Sequence, residues 1–184
     1  MAAQKDIYQY IAEMKPFIAS RDWDSLENTY GAICRDLAGP SQADRIAKLA
    51  FPAYQALLCP LVDRAIKEAN DCKAQAIYFE YDLDNDWDGG FFLCGQYNPE
   101  SANDEDWACD WIRDFRGPGF PEASAVYCEN HFDRTPIAKG STLYLVARTI
   151  AAFGRCVARA TSPAPTIRIA FHDQTPITRI AEAA

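Results

Sequence analysis

Two short runs of β-branched and aromatic residues constrain the fold of this chain more than any other feature. They are AIYFEY at 76–81 and FFLCGQY at 91–97, and runs of this composition predict β-strands. Only nine residues, 82–90, separate them, so the two strands are expected to pair as a hairpin. Its tip is longer than the roughly two to five residues of an ordinary hairpin loop, and long loops are often functional.

Amphipathic helices and a third strand are predicted around this hairpin. Apolar residues recur at helical spacing in four stretches, which are 4–19, 23–37, 43–71 and 142–160. The run TIRIAF at 166–171 alternates as a half-buried strand does. The sequence therefore predicts one α/β (α+β) domain over 1–184. A helical N-terminal layer would pack on a small, mainly antiparallel sheet that contains the hairpin with its long acidic tip.

Prolines and a capping pattern predict where the first helices begin and end. Proline has no backbone N–H and clashes inside a helix, so Pro16, Pro52 and Pro60 are expected to kink or split the helices that contain them. Ser41 with Asp44 resembles a capping box that starts the third helical stretch.

The net charge of −8 and a pI near 4.7 argue against functions that need a basic surface. Proteins that bind nucleic-acid phosphates usually carry a basic patch, and anionic membranes attract polybasic segments. The chain also has no run of roughly 18 apolar residues of the kind that spans a membrane, and no apolar signal-peptide core. We therefore expect neither nucleic acid nor membrane among its partners, and a cytoplasmic location.

The seven cysteines lie at wide, irregular spacings without a CxxC pair. That pattern predicts neither a disulfide framework nor a zinc site. Because cysteine is among the most often buried residue types, we expect these residues to be small core side chains in a reducing compartment.

Residues 76–115 carry eleven carboxylates against one base, Arg113. Four of the carboxylates alternate along the hairpin tip, at Asp82, Asp84, Asp86 and Asp88. A solvated turn accounts for two or three of them, because Asp and Asn favour turns. Four crowded like charges raise the energy of the folded loop, so their presence indicates a surface that meets something positive.

Part of the tip also matches the opening of a calcium-binding loop. In residues 84–89, DNDWDG, the carboxylates of Asp84, Asp86 and Asp88 could converge on one hard cation. The twelfth loop position, normally a bidentate glutamate, falls on Gly95, and the flanking segments are strands where an EF-hand needs helices. We expect no cofactor, with calcium at these three aspartates as the alternative.

A second acidic segment is predicted as a helix over about 104–115, with Asn103 as its cap. Its aromatic residues would form one stripe, expected in the core, at Trp107, Trp111 and Phe115. Its acidic residues would form an adjacent stripe, suited to the rim of an interface, at Asp106, Asp110 and Asp114. Three arginines of the 142–160 helix could pair with some of these acids, namely Arg148, Arg155 and Arg159. Three cations would still leave most of the acidic residues of 76–115 unpaired.

An enzymatic reading needs one of the two histidines, His131 and His172. His172 follows a predicted strand and could form a general acid/base pair with Glu80 on the neighbouring strand. A Cys–His couple that uses Cys94 or Cys128 is a further option. The sequence contains no nucleophile elbow, phosphate-binding glycine loop, HExxH helix or dinucleotide fingerprint.

The runs FEYDLDNDWDGGFFLC at 79–94, DEDWACDW at 104–111 and AFHDQTPITRI at 170–180 resemble small acidic bacterial immunity-type proteins of polymorphic and contact-dependent toxin systems. The resemblance implies a cytoplasmic protein that neutralises a cognate toxin by binding it and needs no catalytic residues. We therefore predict a non-enzymatic binding protein whose acidic face neutralises a basic protein partner. The predicted partner-binding residues are Asp82, Asp84, Asp86, Trp87, Asp88, Asp104, Glu105, Asp106, Asp110 and Asp114. The alternatives are a metal-dependent or acid/base enzyme that uses the loop 82–88 with Glu80 and His172, and a structural oligomer subunit.

Overall fold

The structure is a computed structural model that describes residues 5–98 and 106–182. In these ranges, helices pack on a five-stranded sheet, so the predicted α+β class is confirmed. The helices are α1 (Ile7–Ala12), α2 (Lys15–Ser20), α3 (Trp23–Ala38), α4 (Pro40–Ala47), α5 (Phe51–Cys72), a 3-10 helix (Asp106–Cys109), α6 (Pro121–Asn130) and α7 (Pro136–Arg159). The strands are β1 (Ala76–Tyr81), β2 (Gly89–Cys94), β3 (Trp111–Arg116), β4 (Thr166–Phe171) and β5 (Thr178–Ala181).

The sheet has the strand order β3-β2-β1-β4-β5. β1 pairs with β2 in the predicted antiparallel hairpin, and β2–β3 and β4–β5 are also antiparallel. β1 and β4 run parallel, with Tyr81 opposite Phe171 at their carboxyl ends. The hairpin tip and the segment that follows β4 therefore leave the sheet at the same end of the strands. There the His172 N–H donates to the Tyr81 carbonyl over 2.9 Å.

One face of the sheet is buried against α5 and α7. Phe79 of β1 stacks on Phe153 of α7 with 4.9 Å between ring centroids. α7 is buried along most of its length, because α3 covers the side that faces away from the sheet. The contact is close: a Cβ added at Gly154 would lie 2.4 Å from Cη2 of Trp23. The opposite face of the sheet carries a smaller apolar cluster around Tyr78 that includes the 3-10 helix.

The prolines act as predicted in two of three places. The helical stretch at the N-terminus divides into α1 and α2, with Pro16 in the first turn of α2, and Pro52 opens α5. The expected split at Pro60 is wrong, since α5 continues through it with buried side chains on both sides that hold it against the core. The capping box at Ser41 is also wrong: α4 begins at Pro40, two residues earlier than a cap at Ser41 would give, and its N-cap residue Gly39 has no side-chain cap.

The predicted acidic helix over 104–115 is wrong. Its described part forms the 3-10 helix and then β3, an edge strand paired with β2. A strand here satisfies backbone groups of β2 that would otherwise be unpaired, and this tertiary gain overrides a local helical pattern. The aromatic stripe is broken up as a result. Trp107 is buried, Phe115 is half-buried, and Trp111 is 46% exposed.

One disulfide bond joins two helices of the core. Cys59 of α5 is bonded to Cys156 of α7, across 97 residues of sequence. The prediction that the cysteines form no disulfide is therefore wrong for this pair. Spacing gives no indication of it, because the two residues meet only when α5 and α7 pack side by side.

Candidate functional site

The acidic tip between β1 and β2 is held in place by Trp87. Its side chain is fully buried, and the indole Nε1 donates a hydrogen bond to Thr149 Oγ1 of α7 over 3.1 Å. The ring packs between Tyr81 and Tyr127, with centroids 5.4 and 6.4 Å away. This corrects the prediction that Trp87 binds a partner, because a side chain without exposed surface cannot contact one.

The backbone of the tip is closed on itself and attached to the segment before α6. The Asp82 N–H donates to the Asp88 carbonyl over 3.0 Å, and the Phe120 N–H donates to the Asp86 carbonyl over 2.7 Å. Asp86 and Trp87 both have a left-handed φ of 54°. Such backbone costs roughly 1 kcal/mol per residue and persists only where the surroundings enforce it. The tip is therefore a fixed loop that presents its carboxylates in one arrangement.

Five carboxylates lie on the ends of β1 and β4 and the segments that follow them, and we call them the acidic end of the sheet: Glu80, Asp82, Asp84, Asp86 and Asp173. Asp84 and Asp86 are exposed, and no cation among residues 5–98 and 106–182 contacts either one. Partial burial, followed by the neighbouring Asp84, raises the pKa of Asp82. Asp88 differs from these acids, because its carboxylate is bonded to Arg116 over 3.1 Å.

The arginines of α7 do not neutralise this cluster. Arg155 pairs with Asp24 and Glu27 of α3, each over 2.6 Å. Arg148 lies within 3.9 Å of Glu27 and donates to the carbonyl of Ile46 over 2.6 Å. Both cations therefore hold the helical layer together and leave the acidic end of the sheet with its negative charge.

The other predicted acids do not join the acidic end of the sheet. A strand rises about 3.3 Å per residue, so Asp110, directly before β3, and Asp114, within it, are spread along the sheet, whereas a helix would have stacked them. Asp106 and Asp110 lie near the end of β3 that is remote from the tip, and Asp114 lies between the two ends. The predicted continuous acidic face is therefore divided into separate parts. Asp104 and Glu105 fall outside the described residues.

The contact that an acid/base pair of Glu80 and His172 would need is present. His172 Nδ1 lies 3.2 Å from Glu80 Oε1, and the Tyr78 hydroxyl donates to Glu80 Oε2 over 2.8 Å. The hydrogen bond with Glu80 raises the pKa of His172, and the nearby Asp173 adds to the effect. The imidazole is 60% exposed at the surface. This pair could exchange a proton with a bound molecule.

Other chemistry receives less support from the geometry. Burial raises the pKa of Cys94 to about 12, so its thiol is a poor nucleophile. Cys128 is exposed, and its thiol donates to the carbonyl of Asp84. In the described part of the chain, no group of three or more His, Cys, Asp or Glu side chains is arranged to hold a metal. Asp84, Asp86 and Asp88, the alternative calcium ligands, therefore do not form such a group.

Comparison with other proteins does not add a function. No protein-family model matches this chain, and comparison with curated proteins and with solved structures gave no match either. Among the described residues, no helix has the length and apolar character that a membrane crossing needs. One residue that matters here was missed from the sequence, because Thr149 carries no local signal of its contact with Trp87.

Proposed function

We propose that this chain is a non-enzymatic binding protein that neutralises a basic protein partner, in the manner of a bacterial immunity protein. One observation carries the proposal: the acidic end of the sheet presents Asp84 and Asp86 on a fixed loop without a cation among the described residues. Crowded like charges destabilise a folded loop. A positively charged partner would relieve that repulsion, and complementary charge would speed association and exclude wrong partners.

The anchoring of the tip supports this proposal further. Binding is weakened when a loop must become ordered to make its contacts. Here Trp87 and the backbone hydrogen bonds already hold the loop, so little conformational entropy would be lost on binding. Burial of Trp87 contributes the stability that offsets the repulsion between the carboxylates.

Two variants with the same change in charge test the proposal. Asp84→Asn with Asp86→Asn neutralises the tip, and asparagine tolerates the left-handed backbone at position 86. Asp110→Asn with Asp114→Asn is the matched control, with one change directly before β3 and one within it. Affinity capture from the native host, followed by mass spectrometry, should recover a stoichiometric basic protein with the wild type and the control. The tip variant should lose at least about tenfold in affinity, as expected for two interfacial charges.

Equal retention by both variants would show that net charge alone, and not the tip, attracts the partner. Recovery of no stoichiometric protein would remove the basis of the proposal.

The resemblance to immunity-type proteins implies a site of action in the cytoplasm. The bond between Cys59 and Cys156 points the other way, because stable disulfides are rare in reducing compartments. The number of free thiols in protein purified from its host without reductant decides between the two.

Acid/base catalysis is a second candidate, favoured by the 3.2 Å contact between Glu80 and His172. An exposed imidazole with a raised pKa, oriented by a carboxylate, is a usable proton carrier near neutral pH. A panel of ester, phosphoester and peptide substrates tests it. Turnover that is lost in His172→Ala and reduced in Glu80→Gln, yet unchanged in Asp84→Asn with Asp86→Asn, would favour catalysis over binding.

A further inference from the structure

A cavity of about 620 Å³ lies between the α1–α2 segment and the edge of the sheet formed by β4 and β5. Its volume falls in the range of roughly 300–1,000 Å³ that is typical of small-molecule sites. Ile11, Ile18, Trp107 and Ile180 contribute largely buried apolar side chains to its wall. The cavity is thus suited to an apolar body of modest size.

The charged residues that line this cavity are mainly basic, although the chain as a whole is strongly acidic. Among the described residues, four cations line it against one acid, namely Lys15, Arg21, Arg168 and Arg179 against Glu182. Glu182 binds two of them at once, Arg168 over 3.0 Å and Arg179 over 2.7 Å. Lys15 and Arg21 are exposed at the rim, and no acid in the described part of the chain pairs with them.

Arg168 is the least expected of these residues. It lies in the middle of β4, where its neighbours are apolar, and it is only 4% exposed. Its Nη2 donates to Glu182, and the guanidinium lies over the ring of Tyr97 at 4.8 Å from the centroid. Its Nη1 is buried, and no group in residues 5–98 and 106–182 accepts a hydrogen bond from it.

A buried donor without a partner costs about 1–3 kcal/mol, so its retention calls for an explanation. Burial lowers the pKa of Arg168, while Glu182 opposes that effect and Arg179 adds to it. A carboxylate in the cavity would add negative charge beside Arg168, which shares the single carboxylate of Glu182 with Arg179, and carboxylates accept strong hydrogen bonds from guanidinium groups.

We propose that this cavity binds a small organic carboxylate. The carboxylate is held by Arg168, with Lys15 and Arg21 attracting it at the rim, and the apolar body packs against Trp107 and the isoleucines of the wall. This site is separate from the acidic end of the sheet, and the proposal does not depend on the function proposed above.

Fluorescence of 8-anilinonaphthalene-1-sulfonate, an amphipathic anion, reports occupancy of the cavity in the full chain. Octanoate, octan-1-ol and inorganic phosphate are then tested as competitors. Octanoate should displace the probe at a concentration at least tenfold lower than octan-1-ol, which has the same apolar body without charge. Phosphate should not displace it. Equal competition by octanoate and octan-1-ol, displacement by phosphate, or the absence of saturable probe binding would each overturn the proposal.

Substitutions in the cavity wall test whether octanoate binds in this cavity. Arg168→Met should weaken octanoate competition at least tenfold, and Lys15→Gln with Arg21→Gln about fivefold, as expected for two exposed charges. The matched control is Lys48→Gln with Arg159→Gln, which removes the same two side-chain types from exposed positions outside the cavity wall. If Arg168→Met does not fold, the rim pair decides. A rim pair that behaves like its control would overturn the proposal.

Discussion

Replacing Trp87 with phenylalanine tests whether the acidic tip is an exposed loop or a part of the core. The structure buries the indole completely and gives its N–H one partner, Thr149. Trp87→Phe removes that hydrogen bond, at about 1 kcal/mol. It also leaves a void of about three heavy atoms, at roughly 2 kcal/mol for lost burial and cavity formation. The free energy of unfolding should therefore fall by about 3 kcal/mol.

Urea unfolding followed by far-UV circular dichroism measures this loss without relying on tryptophan fluorescence. With a slope of about 2 kcal/mol per molar urea, the midpoint should fall by about 1.5 M while the slope stays constant. Trp111→Phe is the matched control, because Trp111 is 46% exposed on β3. A surface substitution of this kind changes stability by less than about 0.5 kcal/mol.

A double-mutant cycle with Thr149→Val isolates the hydrogen bond from the packing. The coupling between the two positions should be about 1 kcal/mol. An unchanged midpoint in Trp87→Phe would mean that the tip is solvated. A loss in Trp111→Phe as large as that in Trp87→Phe would mean that the tryptophan of β3 belongs to the core, as the sequence pattern predicted. Each result would contradict the burial of these two side chains in the structure.

Three further predictions concern the dyad, the disulfide and the helix contacts. Glu80→Gln should lower the pKa of His172, which NMR titration of the ring resonances measures. Because the contact with Glu80 raises that pKa in the folded protein, the contact stabilises the fold fully below about pH 6.5, and this stabilisation is lost as pH rises through the folded-state pKa. Alkylation of the unfolded, unreduced protein should modify five thiols, and modification of all seven cysteines would contradict the disulfide bond. Because the bond closes a loop of 97 residues, its reduction or Cys59→Ser should lower the free energy of unfolding by about 4 kcal/mol. Gly154→Ala should destabilise the protein by roughly 1–3 kcal/mol in thermal unfolding, because the new methyl group would clash with Trp23. Alanine favours helices more than glycine does, so a stabilised variant would show that α3 and α7 are not this close.

The division of the helical and strand regions was largely predictable from local pattern. β1 and β4 have the predicted bounds, and α3 differs from its prediction by one residue, because apolar periodicity and β-branched composition act within each segment. The proximity of Glu80 and His172 was predictable for the same reason, since both residues lie near the carboxyl ends of those two strands.

The segment 104–115 was not predictable in this way. Residues spaced four apart share a face in a helix, but four is also a multiple of the strand period of two, so Trp107, Trp111 and Phe115 fit either structure. The unpaired edge of β2 decides in favour of a strand, and that edge exists only once the hairpin has formed.

The amino-acid sequence alone predicts the α+β class, the hairpin and the excess of negative charge at its tip. The packing of distant elements sets which aromatic side chain anchors the tip, which acids stay unpaired, and which two cysteines meet. These features depend on contacts between residues far apart in the chain, such as Trp87 with Thr149 and Cys59 with Cys156. Local propensity carries no information about such contacts, because burial is set by what the neighbouring elements leave uncovered.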